Sequence, residues 1–155
     1  MLNPQLQDEA KGLNQQQIHQ IKAFYTSCMW ELAKSMRLRS RVAATATAYF
    51  RKFYTRNSLC SWDPQLVHVG CLYLASKAEE SSIAAITLVG YTKRMLPAWP
   101  FDITHVLDSE MVILQSLDFR LALLSPFQPL AALATDSGVP QQTAHRCMLL
   151  WRSWR

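Results

Sequence analysis

Glycine is scarce: the 155-residue chain has four, at Gly12, Gly70, Gly90 and Gly138. No G-x-G, Asn-Gly or Asp-Gly occurs, which argues against β-hairpins. The phosphate-cradling glycine loop, G-x-S-x-G and H-E-x-x-H are also missing, so no nucleotide, hydrolase or zinc-protease chemistry is indicated. No apolar run approaches the roughly 20 residues needed to span a bilayer, so no membrane partner is expected. Met1–Gln5 carries no basic segment leading into an apolar one, so a secretory leader is not expected, and cytosol or nucleus is the expected compartment. Cys28, Cys60, Cys71 and Cys147 form no C-x-x-C pair. They read as reduced thiols, mostly buried; His145 and Cys147 alone do not make a metal site, and no cofactor is expected. Acid is missing locally. Between Leu32 and Trp62 there is no Asp or Glu, while Lys34, Arg37, Arg39, Arg41, Arg51, Lys52 and Arg56 fall there, within a formal net charge of +5. That stretch is either a basic face for an acidic partner, phosphate or nucleic acid, or the solvated side of two helices.

What is abundant favours helix: Ala, Leu, Gln, Arg, Lys and Met. Asn14, with Gln17 three residues on, marks a first helix carrying Ile18, Ile21, Tyr25, Cys28, Met29 and Leu32 and fading at Lys34–Met36. A second starts near Ser40, with Val42, Ala46, Tyr49, Phe50 and Phe53 on one face and a turn at Thr55–Ser58. Asp63-Pro64, an N-cap followed by proline at the first helical position, opens a third running to about Glu80. Its middle, Leu66–Ala75, is apolar almost all round, as in a helix surrounded by others. Ser82 is the expected cap of a fourth, with Ile86, Val89 and Gly90 inward, ending before Pro97. Asp102 caps a fifth bearing Val106, Leu107, Met111, Ile113, Leu114 and Leu117.

The expected fold is all-α: an N-terminal segment (1–16), a five-helix bundle around the third helix (17–124), and the start of a second, truncated helical unit (125–155). In that last part a short helix is expected over about 129–135 and another from about Gln141. His68 on the buried third helix reads as a core histidine with a hydrogen-bond partner. Glu79-Glu80 reads as a helix end, because adjacent helical side chains point apart.

Three motifs carry more. Cys71-Leu72-Tyr73-Leu74-Ala75-Ser76-Lys77-Ala78-Glu79-Glu80 resembles the L-A-S-K-x-E-E signature of the cyclin box. Val42–Tyr54 resembles the box's second helix, and Asp108–Phe119 the E-x-x-(I/V)-L-x-x-L-x-F of its fifth. The likeness spans Gln17–Leu124 with order intact. Arg39–Ala46, Tyr54–Ser58 and Phe119–Phe127 are similar to the cyclin C branch. The resemblance implies a non-catalytic regulatory subunit that binds and allosterically activates a cyclin-dependent protein kinase. The expected kinase is the Mediator-associated transcriptional one, in the nucleus, with Mediator subunits as candidate further partners and no small-molecule substrate.

In that family the signature Lys and the fifth-helix Glu lie together on the kinase-facing surface, which here implies Lys77 and Glu110. Leu114, Phe119 and Leu121 match the apolar residues that cover the kinase's regulatory helix, and Lys22 matches a basic position on the first helix. Mitotic cyclins carry an acid where Arg51 stands, and an inward Trp of the substrate-docking groove where Cys28 stands, so neither interaction is carried over. The alternative is a cyclin-fold module that binds DNA or scaffold proteins without a kinase, kept open by Lys34–Arg56. Nucleic acid is otherwise not an expected partner.

After Ser125, the apolar residues Pro129, Leu130, Leu133, Met148, Leu149, Leu150, Trp151 and Trp154 are expected to lack the helices of a second box that would cover them. Deleting 126–155 is expected to leave the melting temperature almost unchanged and to improve solubility, because exposed apolar patches drive association. A fall of many degrees would make the tail part of the fold.

Overall fold

The computed structural model describes Asp8 and residues 11–123. The expected helices over 129–135 and from Gln141 lie outside the described residues. Five helices follow in order: α1 (Gln15–Ser35), α2 (Ser40–Arg56), α3 (Pro64–Ala78), α4 (Ala85–Met95) and α5 (Ile103–Ser116). Among the described residues there is no strand, and no helix is long and apolar enough to cross a membrane.

Helix α3 is the hub. Every residue from Val67 to Ser76 is buried, and the helix packs against each of the other four. Asp63 Oδ1 accepts the Gln65 N–H at 2.8 Å, with Pro64 in the first turn, as the sequence pattern predicts. Gly70 sits where α5 comes closest. A Cβ there would collide with the Ser109 hydroxyl and stand 2.8 Å from Ile113 Cδ1. The close crossing of α3 and α5 therefore requires glycine at this one position. The α2 face of Val42, Ala46, Tyr49, Phe50 and Phe53 is fully buried. Phe50 and Phe53 both meet the Tyr54 ring edge-on, and the Tyr54 hydroxyl donates to the Trp62 carbonyl at 2.8 Å.

Helices α4 and α5 depart from expectation. The cap of α4 is Ala84, not Ser82, because residues 81–84 run extended after α3 closes. Leu88, Val89 and Thr92 are then the stripe that reaches the core. Ile86 is 68% exposed and Gly90 faces open space, so neither packs inward. On α5 the buried set is Val106, Ser109 and Ile113, continued by Leu117. Leu107 and Met111 point outward instead. Both helices are peripheral, so only a narrow stripe of each meets the core and the remaining apolar residues are left outside.

Three helices close without glycine. In α1 the Leu38 N–H reaches the Ala33 carbonyl at 2.9 Å and the Arg37 N–H reaches Lys34 at 3.0 Å. Ser81 to Ser76 and Glu80 to Lys77 repeat the pattern in α3, and Phe119 to Leu114 and Asp118 to Gln115 in α5. These are Schellman motifs, whose left-handed residue is usually Gly. Here the residues are Arg37, Glu80 and Asp118, with φ of 54°, 53° and 54°. Each costs about 1 kcal/mol of backbone strain.

His68 lies inside the core as expected. Its Nδ1 is 2.9 Å from the Pro64 carbonyl, and its ring packs on Tyr25. Burial pushes the imidazole pKa down to about 4, against which its backbone hydrogen bonds act. The folded protein therefore resists the proton that the unfolded chain accepts near pH 6.5, and stability falls with acidification from about 6.5 to about 4. Denaturant titrations over that range should show wild type losing up to about 3 kcal/mol more than His68→Gln. Parallel curves for the two proteins would contradict a buried neutral imidazole.

Candidate functional site

The last turn of α3 carries the first residue of that helix to leave the core. Lys77 Nζ lies 2.8 Å from both Glu110 Oε1 and Oε2, on the facing side of α5. The Lys77 side chain is 41% exposed and that of Glu110 only 17%. The ammonium also stands 4.3 Å from the centroid of the Tyr73 ring. Partial burial disfavours its charge, but the Glu110 hydrogen bond, Tyr73 and the Glu110 charge outweigh this and hold its pKa above the ordinary lysine value. An ion pair this exposed adds about 0–1 kcal/mol to stability. Its significance lies in where it stands.

Around it the surface is apolar. Leu114, one turn beyond Glu110, is half-buried, and Met111 beside it is exposed. Phe119 follows the end of α5 at 63% exposure. Leu121 is half-buried, and its carbonyl accepts the Tyr49 hydroxyl at 2.7 Å. Burial and the Glu79 charge push that phenol's pKa up to about 12, so it remains a donor. The structure thus brings Lys77, Glu110 and Leu114 together, with Phe119 and Leu121 following on the same chain segment. Lys22 stands elsewhere. Its Nζ is 3.4 Å from the Tyr54 carbonyl, near the end of α2. Helices α2 and α3 are antiparallel, since Thr45 bonds Glu79 and Tyr54 bonds Trp62. Lys22 therefore lies at the opposite end of that pair from Lys77.

Sequence reasoning missed the bonds that frame this surface. Glu79 accepts from Thr45 Oγ1 at 2.7 Å and from Arg41 Nε at 2.6 Å, tying the end of α3 to the start of α2. At the other end of α2, Arg56 Nη1 reaches Asp118 Oδ2 at 2.7 Å and the Ser116 carbonyl at 3.0 Å. The basic stretch is therefore not a uniform face, because two of its arginines are structural ties. Between α2 and the end of α3 lies a cleft of about 290 Å³ lined by Arg39, Arg41, Val42, Ala78, Glu79 and Glu80. Cys28 lines a void of only about 20 Å³ with Leu32, His68, Thr92, Met95 and Leu96, too small for a peptide side chain.

Asp8 is the least legible tie. Its carboxylate is buried and accepts from the Ser58 hydroxyl and from the Leu59 and Cys60 N–H groups, both at 3.2 Å. Burial raises its pKa, but these bonds prevail and hold it below the ordinary carboxylate value. Burial lowers the pKa of Lys22, and the charge of Asp8 works against that shift. An acid fifty residues from its turn leaves no periodic or capping signature.

Comparison with known proteins puts these features in a family. The model of the cyclin N-terminal domain matches residues 3–122. Cyclin-C1-1 of Oryza sativa subsp. japonica is 40% identical over 139 residues, 88% of this chain and 54% of that protein. Cyclin-C1-2 of Arabidopsis thaliana is 37% identical, covering 85% and 53%, and Cyclin-C of Rattus norvegicus 34% identical, covering 89% and 53%. The chain spans about half the length of these curated relatives. A chain of the yeast TFIIK (Kin28/Ccl1/Tfb3) complex superposes with a TM-score of 0.67 at 25% identity, over 84% of this chain and 54% of its own. A chain of the CAK complex of Chaetomium thermophilum bound to ATP-gamma-S gives a TM-score of 0.66 at 23% identity, over 77% and 36%, and attests the fold alone.

Replacing Asp8 with Ala strands the Ser58 hydroxyl and the Leu59 N–H, and leaves the Cys60 N–H only Ser58 Oγ at 3.1 Å. We expect a loss of about 2–3 kcal/mol in denaturant unfolding. A loss under about 0.5 kcal/mol would mean that water satisfies the turn equally well.

Proposed function

We propose that this chain, which belongs to the cyclin family, is a regulatory subunit that binds a cyclin-dependent protein kinase and activates it allosterically. The observation that carries the reading is the Lys77–Glu110 pair, both carboxylate oxygens at 2.8 Å from one ammonium, next to exposed Met111 on α5, with exposed Phe119 following the end of that helix. A charged pair at an apolar surface gives orientation when the surface is covered, while the apolar contacts supply most of the affinity. Leu114, Phe119 and Leu121 provide those contacts in this reading, and Lys22 a separate basic contact.

The kinase is activated by selection of one state. A surface that binds the regulatory helix of the kinase only in its inward position favours the conformer in which the kinase's Glu pairs its ATP-binding Lys. This chain contributes no catalytic group to the transfer. In this reading the partner is a transcriptional, Mediator-associated kinase, with Mediator subunits as further contacts and a place in the nucleus, as the sequence's resemblance to the cyclin C branch implies. The reading as a DNA-binding module rests on fewer cations than the sequence counts, since Arg41 and Arg56, two of the seven in Lys34–Arg56, are engaged within the fold.

The test is calorimetric titration of the full chain with the purified catalytic subunit of a Mediator-type cyclin-dependent kinase. Lys77→Ala and Glu110→Ala should each weaken binding by about 2 kcal/mol with circular dichroism unchanged. Wild-type affinity in both variants would refute the reading.

A further inference from the structure

Phe119 adopts a conformation that its own residue type disfavours. Helix α5 closes through Asp118, whose left-handed φ of 54° belongs to the Schellman motif. The next residue, Phe119, is left-handed as well, with φ 56°. A bulky side chain rarely enters that region, and two such residues in succession without glycine are less common still. Burial does not compensate, because Phe119 is 63% exposed. Strained backbone of this kind persists where its surroundings over-determine it, and it collects at functional positions.

The surroundings here come from α2. Arg56 Nη1 bridges the Ser116 carbonyl at 3.0 Å and Asp118 Oδ2 at 2.7 Å, just before the strained residue. Asn57 Nδ2 donates to Ser116 Oγ at 3.2 Å. Beyond it, the Tyr49 hydroxyl donates to the Leu121 carbonyl at 2.7 Å. The turn is thus held on both sides by one helix, and the residue between the two holds stands out in solvent.

We propose that Arg56 is a positioning residue for Phe119: by clamping the end of α5 it keeps Phe119 in its left-handed, outward pose as a preformed apolar contact for the kinase. The inference rests on the kinase-binding reading above. A contact already ordered in the free protein loses no ordering entropy on association. Arg56 does this without touching the partner. Lysine in its place ends one bond short of the position that Nη1 occupies, so it holds the same two acceptors less closely.

The experiment has two arms on the full chain. In the first, without kinase, backbone NMR couplings and carbon shifts at Asp118 and Phe119 report the sign of φ. Arg56→Ala should move Phe119 out of the left-handed region, and Arg56→Lys should move it partway. Should Arg56→Ala fail to fold, Arg56→Gln takes its place. In the second arm, binding is titrated against the purified catalytic subunit of a Mediator-type cyclin-dependent kinase. Arg56→Ala and Phe119→Ala should each weaken binding about ten-fold, and the double variant no more than Phe119→Ala alone. Part of the affinity should return in Arg56→Lys. Unchanged couplings at Phe119 in Arg56→Ala, or losses that multiply in the double variant, would overturn the inference. Wild-type binding by Phe119→Ala would instead remove Phe119 from the kinase contact and overturn the functional half, leaving the couplings to decide whether Arg56 sets the turn.

Discussion

A helix with apolar side chains on every side has to be surrounded, and in this chain that helix is α3. Its burial from Val67 to Ser76 sets the positions of the four helices around it. The glycine at position 70 lets α5 come close, and that proximity puts Glu110 within reach of Lys77 at the point where α3 emerges. The candidate site is therefore not an addition to the fold. It is the place where the buried helix meets water, and its geometry is inherited from the packing beneath it.

How far the sequence could be read follows from the same packing. The α2 face was legible because five buried residues repeat at helical spacing and nothing else competes for them. The start of α3 was legible because Asp63-Pro64 is a local signal, independent of tertiary contacts. The register of α4 was not, since its start depends on how the preceding residues leave α3, and Ser82 looks like a cap without acting as one. The outward Leu107 and Met111 share the composition of the core, so periodicity counted them as inward. Lys77 and Glu110 were singled out by resemblance alone, because residues 33 positions apart carry no mutual spacing signal. Asp8, Arg41 and Arg56 were missed for that reason too: each acts on residues more than thirty positions away.

Those long-range bonds compensate for what the chain lacks. Helix α2 has no side-chain cap and no acid in its first turn. Glu79 from α3 supplies a carboxylate there, which both pairs Arg41 and meets the positive end of the helix dipole. At the far end of α2, Arg56 in the last turn meets Asp118. A cluster of cations that looks like a surface for nucleic acid in one dimension becomes, in three, partly a set of braces between helices.

The Asp8 carboxylate also bears on the order in which the chain assembles. Its acceptors' partners lie fifty residues downstream, in the turn between α2 and α3. On a ribosome adding about 5–20 residues each second, Asp8 is made seconds before Ser58 exists to meet it. A carboxylate is tolerated in a dry interior only when its donors are already in place, so Asp8 docks after the α2–α3 corner has formed. Asp8 is thus made before the turn that receives it and settles after it.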